Sequence, residues 1–165
     1  MAFVVEDIDG AMASFASGLR IGPWFLYQRL PAVGQAYLGQ PTSLDLAVAL
    51  TYQGSTMIEL IEQRCETASV YHPDPGLPRR YGFHHYGIAS RAFDADLERY
   101  EANGHRPLFF AQTPRGNRGV YMTGPETLGG LVELIEVTNA SEAFYQRMFL
   151  AAAGWAGADP IRPLD

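Results

Sequence analysis

Two copies of one pentapeptide carry the residues best suited to chemistry. Ile58-Glu59-Leu60-Ile61-Glu62 and Val132-Glu133-Leu134-Ile135-Glu136 match almost position for position. Their β-branched and alternating composition predicts a strand in each case. Strand side chains alternate between faces, so Glu59 shares a face with Ile61, and Glu133 with Ile135. Glu62 and Glu136 fall on the opposite, solvated face. A carboxylate among apolar neighbours must take up a proton, find a partner or bind a cation. Two such carboxylates brought together repel, and a divalent ion between them relieves that repulsion. The alternative is that both lie on the open side of a half-exposed sheet, and alternation by itself leaves the two readings open.

A histidine pair adds to this set. His84-His85 opens a further strand, where alternation puts His85 on the face of Gly87 and Ala89 and His84 on the other. An imidazole with carboxylates suits Zn, Fe, Mn, Co or Ni. His72 and His105 lie in loop or turn contexts and read as surface residues. The single cysteine, Cys65, reads as a small buried thiol rather than a nucleophile.

The elements that would position these groups occur in a repeated order. Residues 2–5 read as a strand. Apolar residues Ala11, Met12, Phe15 and Leu19 then recur at helical spacing behind Asp7 or Asp9 as N-cap. Strands follow at 24–30, 43–52 and 56–63, with 31–41 as a Gly- and Pro-rich loop. Residues 64–82 form a linker. The order then repeats: a strand at 83–90, a helix at 93–103, and strands at 107–113, 120–123 and 131–137, with 115–119 as a hairpin turn that reads as solvated, a contact from Arg115 to Arg118 with a phosphate or carboxylate being its other reading. A terminal helix covers 140–153. The expected fold is α+β, two βαβββ modules (1–63 and 83–137) forming curved sheets around a shared cavity, plus a C-terminal helix and tail (138–165), all in one compact domain. Trp24, Phe25, Tyr27, Phe109, Phe110 and Tyr121 are candidates to line the cavity, with core packing as their other role.

Composition narrows the function classes. The chain has 165 residues, 47% of them hydrophobic and 18% charged, enough for one sizeable core. Its net charge of -6 and lack of a basic run exclude a nucleic-acid binder. All 12 basic residues are Arg, a mark of a GC-rich genome. No apolar run approaches the ~20 residues of a membrane span. The acidic N-terminus is unlike a signal peptide, and one cysteine allows no internal disulfide, so a cytoplasmic protein is expected. Phosphate-loop, Gly-x-Ser-x-Gly and Cys-x-x-Cys motifs are absent.

The order of these elements resembles the vicinal oxygen chelate superfamily, which includes glyoxalase I, methylmalonyl-CoA epimerase, extradiol dioxygenases and the fosfomycin and bleomycin resistance proteins. The resemblance spans roughly residues 1–137. It is carried by Ala2-Phe3-Val4-Val5-Glu6-Asp7-Ile8-Asp9, Leu19-Arg20-Ile21-Gly22-Pro23, His84-His85-Tyr86-Gly87-Ile88 and the two Glu-Leu-Ile-Glu strands. The Gly-Pro after the first helix looks most like the epimerase and glyoxalase-like branch.

This resemblance implies a metal site with ligands on the first and last strands of each module. Glu59, His85 and Glu133 match three of the family's four positions. The fourth, a His or Gln two residues before the small residue matching Ala2, falls immediately before Met1; either the natural chain is longer or that ligand is lost. The implied chemistry is epimerisation, isomerisation or glyoxalase-type lysis of a small carbonyl compound through an enolate-like intermediate. The divalent ion would act as Lewis acid and Glu133 or Glu59, preferentially Glu133, as base. A non-catalytic small-molecule binding or resistance protein of the same fold is the alternative. A homodimer is expected, helped by the apolar face of Phe144, Met148 and Ala152 on the terminal helix.

Overall fold

The computed structural model describes residues 1–113, 115–127 and 129–164. The first half consists of β1 (Ala2–Val4), α1 (Ile8–Gly18), β2 (Trp24–Tyr27), β3 (Val33–Tyr37), β4 (Gln40–Pro41), β5 (Leu46–Gln53) and β6 (Thr56–Gln63). The second contains β7 (Gly82–Ser90), α2 (Phe93–Ala102), β8 (Pro107–Gln112), β9 (Arg118–Thr123) and β10 (Leu131–Glu136), followed by α3 (Asn139–Ala152) and β11 (Ile161–Leu164).

The eleven strands among the described residues join one mixed sheet in the order β11-β2-β5-β6-β1-β7-β10-β9-β8-β3-β4. The halves meet where β1 pairs antiparallel with β7. Their internal registers are equivalent. Ala2, Phe3 and Val4 stand opposite Glu59, Leu60 and Ile61, as Gly87, Ile88 and Ala89 stand opposite Glu133, Leu134 and Ile135. The repeated pentapeptide therefore occupies the same place in each half.

Alternation sorts the two layers. On β5, Leu46, Val48 and Leu50 face the concave side, while Ala47 and Ala49 face outward beneath α1. Small residues there let the helix approach. Asp7 caps α1 by accepting from the backbone N–H groups of Asp9 and Gly10, and Ile8 and Met12 bury against Leu60 and Ile58. α2 covers the second half through Phe93, which packs on Val120, Met122, Val132 and Leu134. No helix among the described residues is long and apolar enough to cross a membrane.

Several elements depart from the sequence-based expectations. Residues 31–41 are not a loop: β3 and β4 form a hairpin whose β3 pairs with β8 of the other half. Only residues 28–32 connect β2, near one end of the strand order, to β3, near the other. That connection spans at most about 20 Å, so the sheet must curl into a deep cup. The tail also contributes a strand, β11, parallel to β2. α3 does not present its apolar face outward. Phe144 and Met148 are buried against the concave-side cluster of their own chain, so the helix sits across the cup. Within 64–82, Val70, Tyr71 and His72 are buried, so His72 is not a surface residue; it is 3% exposed, with Nε2 3.6 Å from a Glu66 carboxylate oxygen.

Candidate metal centre

Glu59 on β6, Glu133 on β10 and His85 on β7 converge on the concave face. One ligand atom from each lies within 4.8 Å of the other two. His85 Nε2 is 3.4 Å from Glu59 Oε2 and 3.2 Å from Glu133 Oε2. His85 is 1% exposed, and the carboxylates open onto a cavity of about 110 Å³. Two carboxylates and one imidazole are a borderline donor set that fits a divalent transition ion. Glu62 and Glu136 face outward as expected, but each is held by an arginine rather than simply solvated. Arg64 pairs with Glu62 at 3.1 Å, and Arg118 bridges Glu136 and Asp94 at 2.9 and 2.7 Å.

His84 does not point to the far face. The β1–β7 pairing shifts between Ala2–His85 and Phe3–Phe83, so His84 is the extra residue of a bulge and alternation fails there. Its ring packs on Tyr71, with centroids 5.0 Å apart, and its Nδ1 lies 2.9 Å from His85 Nδ1. The other ring nitrogen, Nε2, is 2.9 Å from the Val70 carbonyl oxygen. A carbonyl only accepts, so His84 Nε2 donates to it, and Nδ1 of the neutral ring accepts from His85 Nδ1–H. His85 Nε2 is thereby presented to the carboxylates, as a metal ligand requires. Replacing His84 by Phe is expected to weaken Zn²⁺ binding about 10- to 100-fold, measured by competition with a chromophoric chelator. Tyr121 braces His85 from the side, ring centroids 4.9 Å apart and nearly perpendicular, and accepts a 2.9 Å bond from the Tyr71 hydroxyl.

Burial and charge set opposed titrations in the metal-free protein. Burial lowers the His85 pKa, but the Glu133 and Glu59 carboxylates outweigh it and hold the imidazolium up to about 9. Burial pushes His84 down to about 4, its bond to Val70 offsetting this only in part. Both groups titrate near 6.5 when unfolded. The contribution of His85 is complete below that pH and is lost as pH rises toward about 9. The contribution of His84 is complete above it and is lost as pH falls toward about 4. Metal-free protein should melt highest near pH 6.5, and Zn²⁺ should remove the alkaline loss because a ligand His is already neutral. Melting temperature against pH, with and without Zn²⁺, checks this; a metal-free curve still rising from pH 7 to 9 contradicts it.

Gly119 is a site residue that spacing does not reveal. It lies on β9 beside β10 rather than in a turn, and a Cβ there would sit 3.1 Å from Glu133 Oε1. Its missing side chain is what gives Glu133 room, and a lone glycine beside a turn carries no signal of that role. Gly119→Ala is expected to leave the fold intact and weaken Zn²⁺ binding by about tenfold, the scale of a disturbed ligand support, read by the same competition.

Among the aromatic candidates, Tyr27, Phe109 and Tyr121 line the cavity, along with Leu46, Val48, Leu50 and α3 residues Phe144 and Tyr145. Trp24 does not. It is 0% exposed beneath α1, edge-on to Phe15 at 5.5 Å. Trp24 and Tyr27 are three residues apart on one strand, so alternation itself separates them. Phe110 likewise packs outward, in the α2 layer. His105 is half-buried, with Nδ1 2.6 Å from the Thr123 carbonyl oxygen, away from the cluster.

A curled sheet of paired βαβββ halves with carboxylates and a histidine on its concave face defines a glyoxalase-like architecture. Residues 1–123 match the family described as the Glyoxalase/Bleomycin resistance protein/Dioxygenase superfamily, and the chain belongs to it. No curated protein matches the sequence. Among solved structures, the chain is similar to the hypothetical protein BH1468 from Bacillus halodurans C-125, at 19% identity and a TM-score of 0.59, covering 84% of this chain and 91% of that one. A methylmalonyl-CoA epimerase from Mycobacterium tuberculosis gives 15% identity and a TM-score of 0.55, covering 86% and 88%. A Streptomyces coelicolor methylmalonyl-CoA epimerase variant in complex with 2-nitronate-propionyl-CoA gives 16% and 0.52, covering 83% and 94%. At these identities the likeness is one of fold.

Proposed function

We propose that the protein is a metal-dependent epimerase, isomerase or glyoxalase-type lyase acting on a small carbonyl compound. The observation that carries this reading is the convergence of Glu59, His85 and Glu133, with both carboxylates at the wall of an apolar cavity. When bound, a divalent ion held by these residues supplies Lewis acidity toward negative charge developing on a substrate oxygen.

The remaining chemistry falls to the chain itself. Glu133 turns Oε2 toward His85 and Oε1 over Gly119, so one carboxylate oxygen is left to take a proton from the carbon beside a carbonyl. Returning that proton to the same or a neighbouring carbon gives epimerisation or isomerisation. Leu46, Val48, Leu50 and Phe109 exclude water, which strengthens each polar interaction inside. Tyr71 and Tyr121 stay protonated, because burial and the field of Glu133 raise both phenols well above their ordinary range.

The apolar lining also supports a second reading, sequestration of a small hydrophobic molecule without turnover. The two part on proton exchange. Metal-loaded protein is incubated in D₂O with a panel of small oxo acids, ketones and ketoaldehydes, and followed by proton NMR. Exchange at the carbon beside the carbonyl in the wild type, lost in Glu133→Gln, is expected. Saturable binding without exchange anywhere in the panel would overturn the catalytic reading in favour of sequestration.

A further inference from the structure

Among the described residues three charged side chains line the cavity: Glu59 and Glu133, which belong to the metal cluster, and Arg115. Arg115 comes from the β8–β9 connection, and its Nη1 donates to the Tyr27 hydroxyl. Its guanidinium lies 3.7 Å from the Phe144 ring centroid and 5.8 Å from that of Tyr27. Among the described residues no carboxylate pairs with it, and its Nε and Nη2 donate to none. These are the two N–H groups that bind a carboxylate side-on. Six other arginines, Arg29, Arg64, Arg79, Arg91, Arg99 and Arg118, each pair with an acidic residue of the chain, and none of them lines the cavity. A guanidinium always carries its charge, and an apolar wall is a costly place for one without a counter-ion.

A second polar group accompanies it. Tyr145 lines the cavity from α3, and its hydroxyl has no hydrogen-bond partner among the described residues. Most other polar groups of the lining are engaged: Gln35 with Ala32 and Leu44, Thr113 with Asn117, Asn117 with Glu136, and Ser141 with Thr138. Burial and the fields of Glu133 and Glu59 push the Tyr145 pKa up while Arg115 pulls it down, so this phenol stays protonated and able to donate.

We infer that Arg115 and Tyr145 form an anion anchor, and that the substrate is a small oxo or hydroxy carboxylic acid. Its carboxylate rests on Arg115 Nε and Nη2, and its carbonyl or hydroxyl oxygen lies at the Glu59–His85–Glu133 end. This deepens the catalytic reading above and rests on it. One guanidinium matches one monoanion and would leave a phosphate dianion under-neutralised in a cavity that also holds two carboxylates. The size agrees, since about 110 Å³ is somewhat less than the ~150 Å³ cavity that takes benzene.

The test is an NMR titration of Zn²⁺-loaded protein with 2-oxobutyrate, 2-oxoisovalerate and 2-hydroxybutyrate, with their methyl esters, and with inorganic phosphate. The acids should bind at least tenfold more tightly than their esters and shift the Arg115 Nε–H resonance. Arg115→Met should bring acid affinity down to that of the esters, leaving ester affinity and zinc content unchanged. Tyr145→Phe should weaken acid binding severalfold and serves if Arg115→Met does not fold. Equal binding of acids and esters, no saturable binding of any acid, or tighter binding of phosphate than of the acids would each overturn the anchor. Zinc content separates the two claims. Loss of the anchor with zinc retained leaves the metal-dependent reading standing, whereas acid selectivity in a protein that takes no zinc removes that reading alone.

Discussion

Glu133→Gln protein should emerge from purification, and from dialysis against Zn²⁺ or Co²⁺, essentially free of metal, while the wild type carries close to one ion per chain. Loss of a group that merely supports a ligand costs about 10- to 100-fold in affinity, and removing a ligand should cost more than that. The reason is geometric and electrostatic together. Glu133 Oε2 lies 3.2 Å from His85 Nε2, and Glu59 Oε2 lies 3.4 Å from the same atom. An amide at position 133 removes one of the two negative charges facing the ion and substitutes a weaker donor. The fold should survive, because Glu133 gives way to a side chain of the same shape. Elemental analysis of both preparations, with circular dichroism to confirm folding, reads the outcome. Equal metal content in the two would remove Glu133 from the centre.

Trp24→Ala should be the most destabilising single substitution in the first half, by about 3–5 kcal/mol, while leaving metal content unchanged. Trp24 is fully buried where α1 meets β2 and β5, packed with Ile8, Met12, Leu26, Ala47 and Ala49. Its indole Nε1–H has no partner among the described residues, so truncation forfeits packing and leaves a cavity without breaking a hydrogen bond. Chemical denaturation measures the loss. A cost below about 1 kcal/mol, or a fall in bound metal at full folding, would contradict the placement of Trp24 outside the cup.

The two Glu-Leu-Ile-Glu strands were legible because their signal is both repeated and periodic. Alternation put Glu59 and Glu133 on one face, Glu62 and Glu136 on the other, and β6 and β10 have that arrangement. The α+β pairing of halves was legible for the same reason, and the equal registers of Ala2–Glu59 and Gly87–Glu133 explain why the repeat kept its order.

What escaped the sequence escaped through irregularity or distance. The β3–β4 hairpin is short and rich in Gly and Pro, and its partner, β8, lies in the other half, so no local pattern announces it. The bulge at His84 breaks the alternation that assigned its side chain, so the link it forms from His85 to the Val70 carbonyl was hidden from the sequence. The apolar stripe of α3 reads equally well as a surface for a partner or for the chain's own cup; burial of Phe144 and Met148 settles it within the chain. The 115–119 turn reads as solvated in preference to an anion contact, because nothing local shows that Arg115 folds over Tyr27 and Phe144.

The metal centre is tested most directly by anomalous diffraction from crystals of the Co²⁺-loaded protein, collected on both sides of the cobalt edge. One peak is expected, about 2.0–2.2 Å from His85 Nε2 and from a carboxylate oxygen of Glu59 and of Glu133. A fully loaded crystal whose cobalt peaks all lie elsewhere, with these three side chains bridged only by hydrogen bonds, would contradict it.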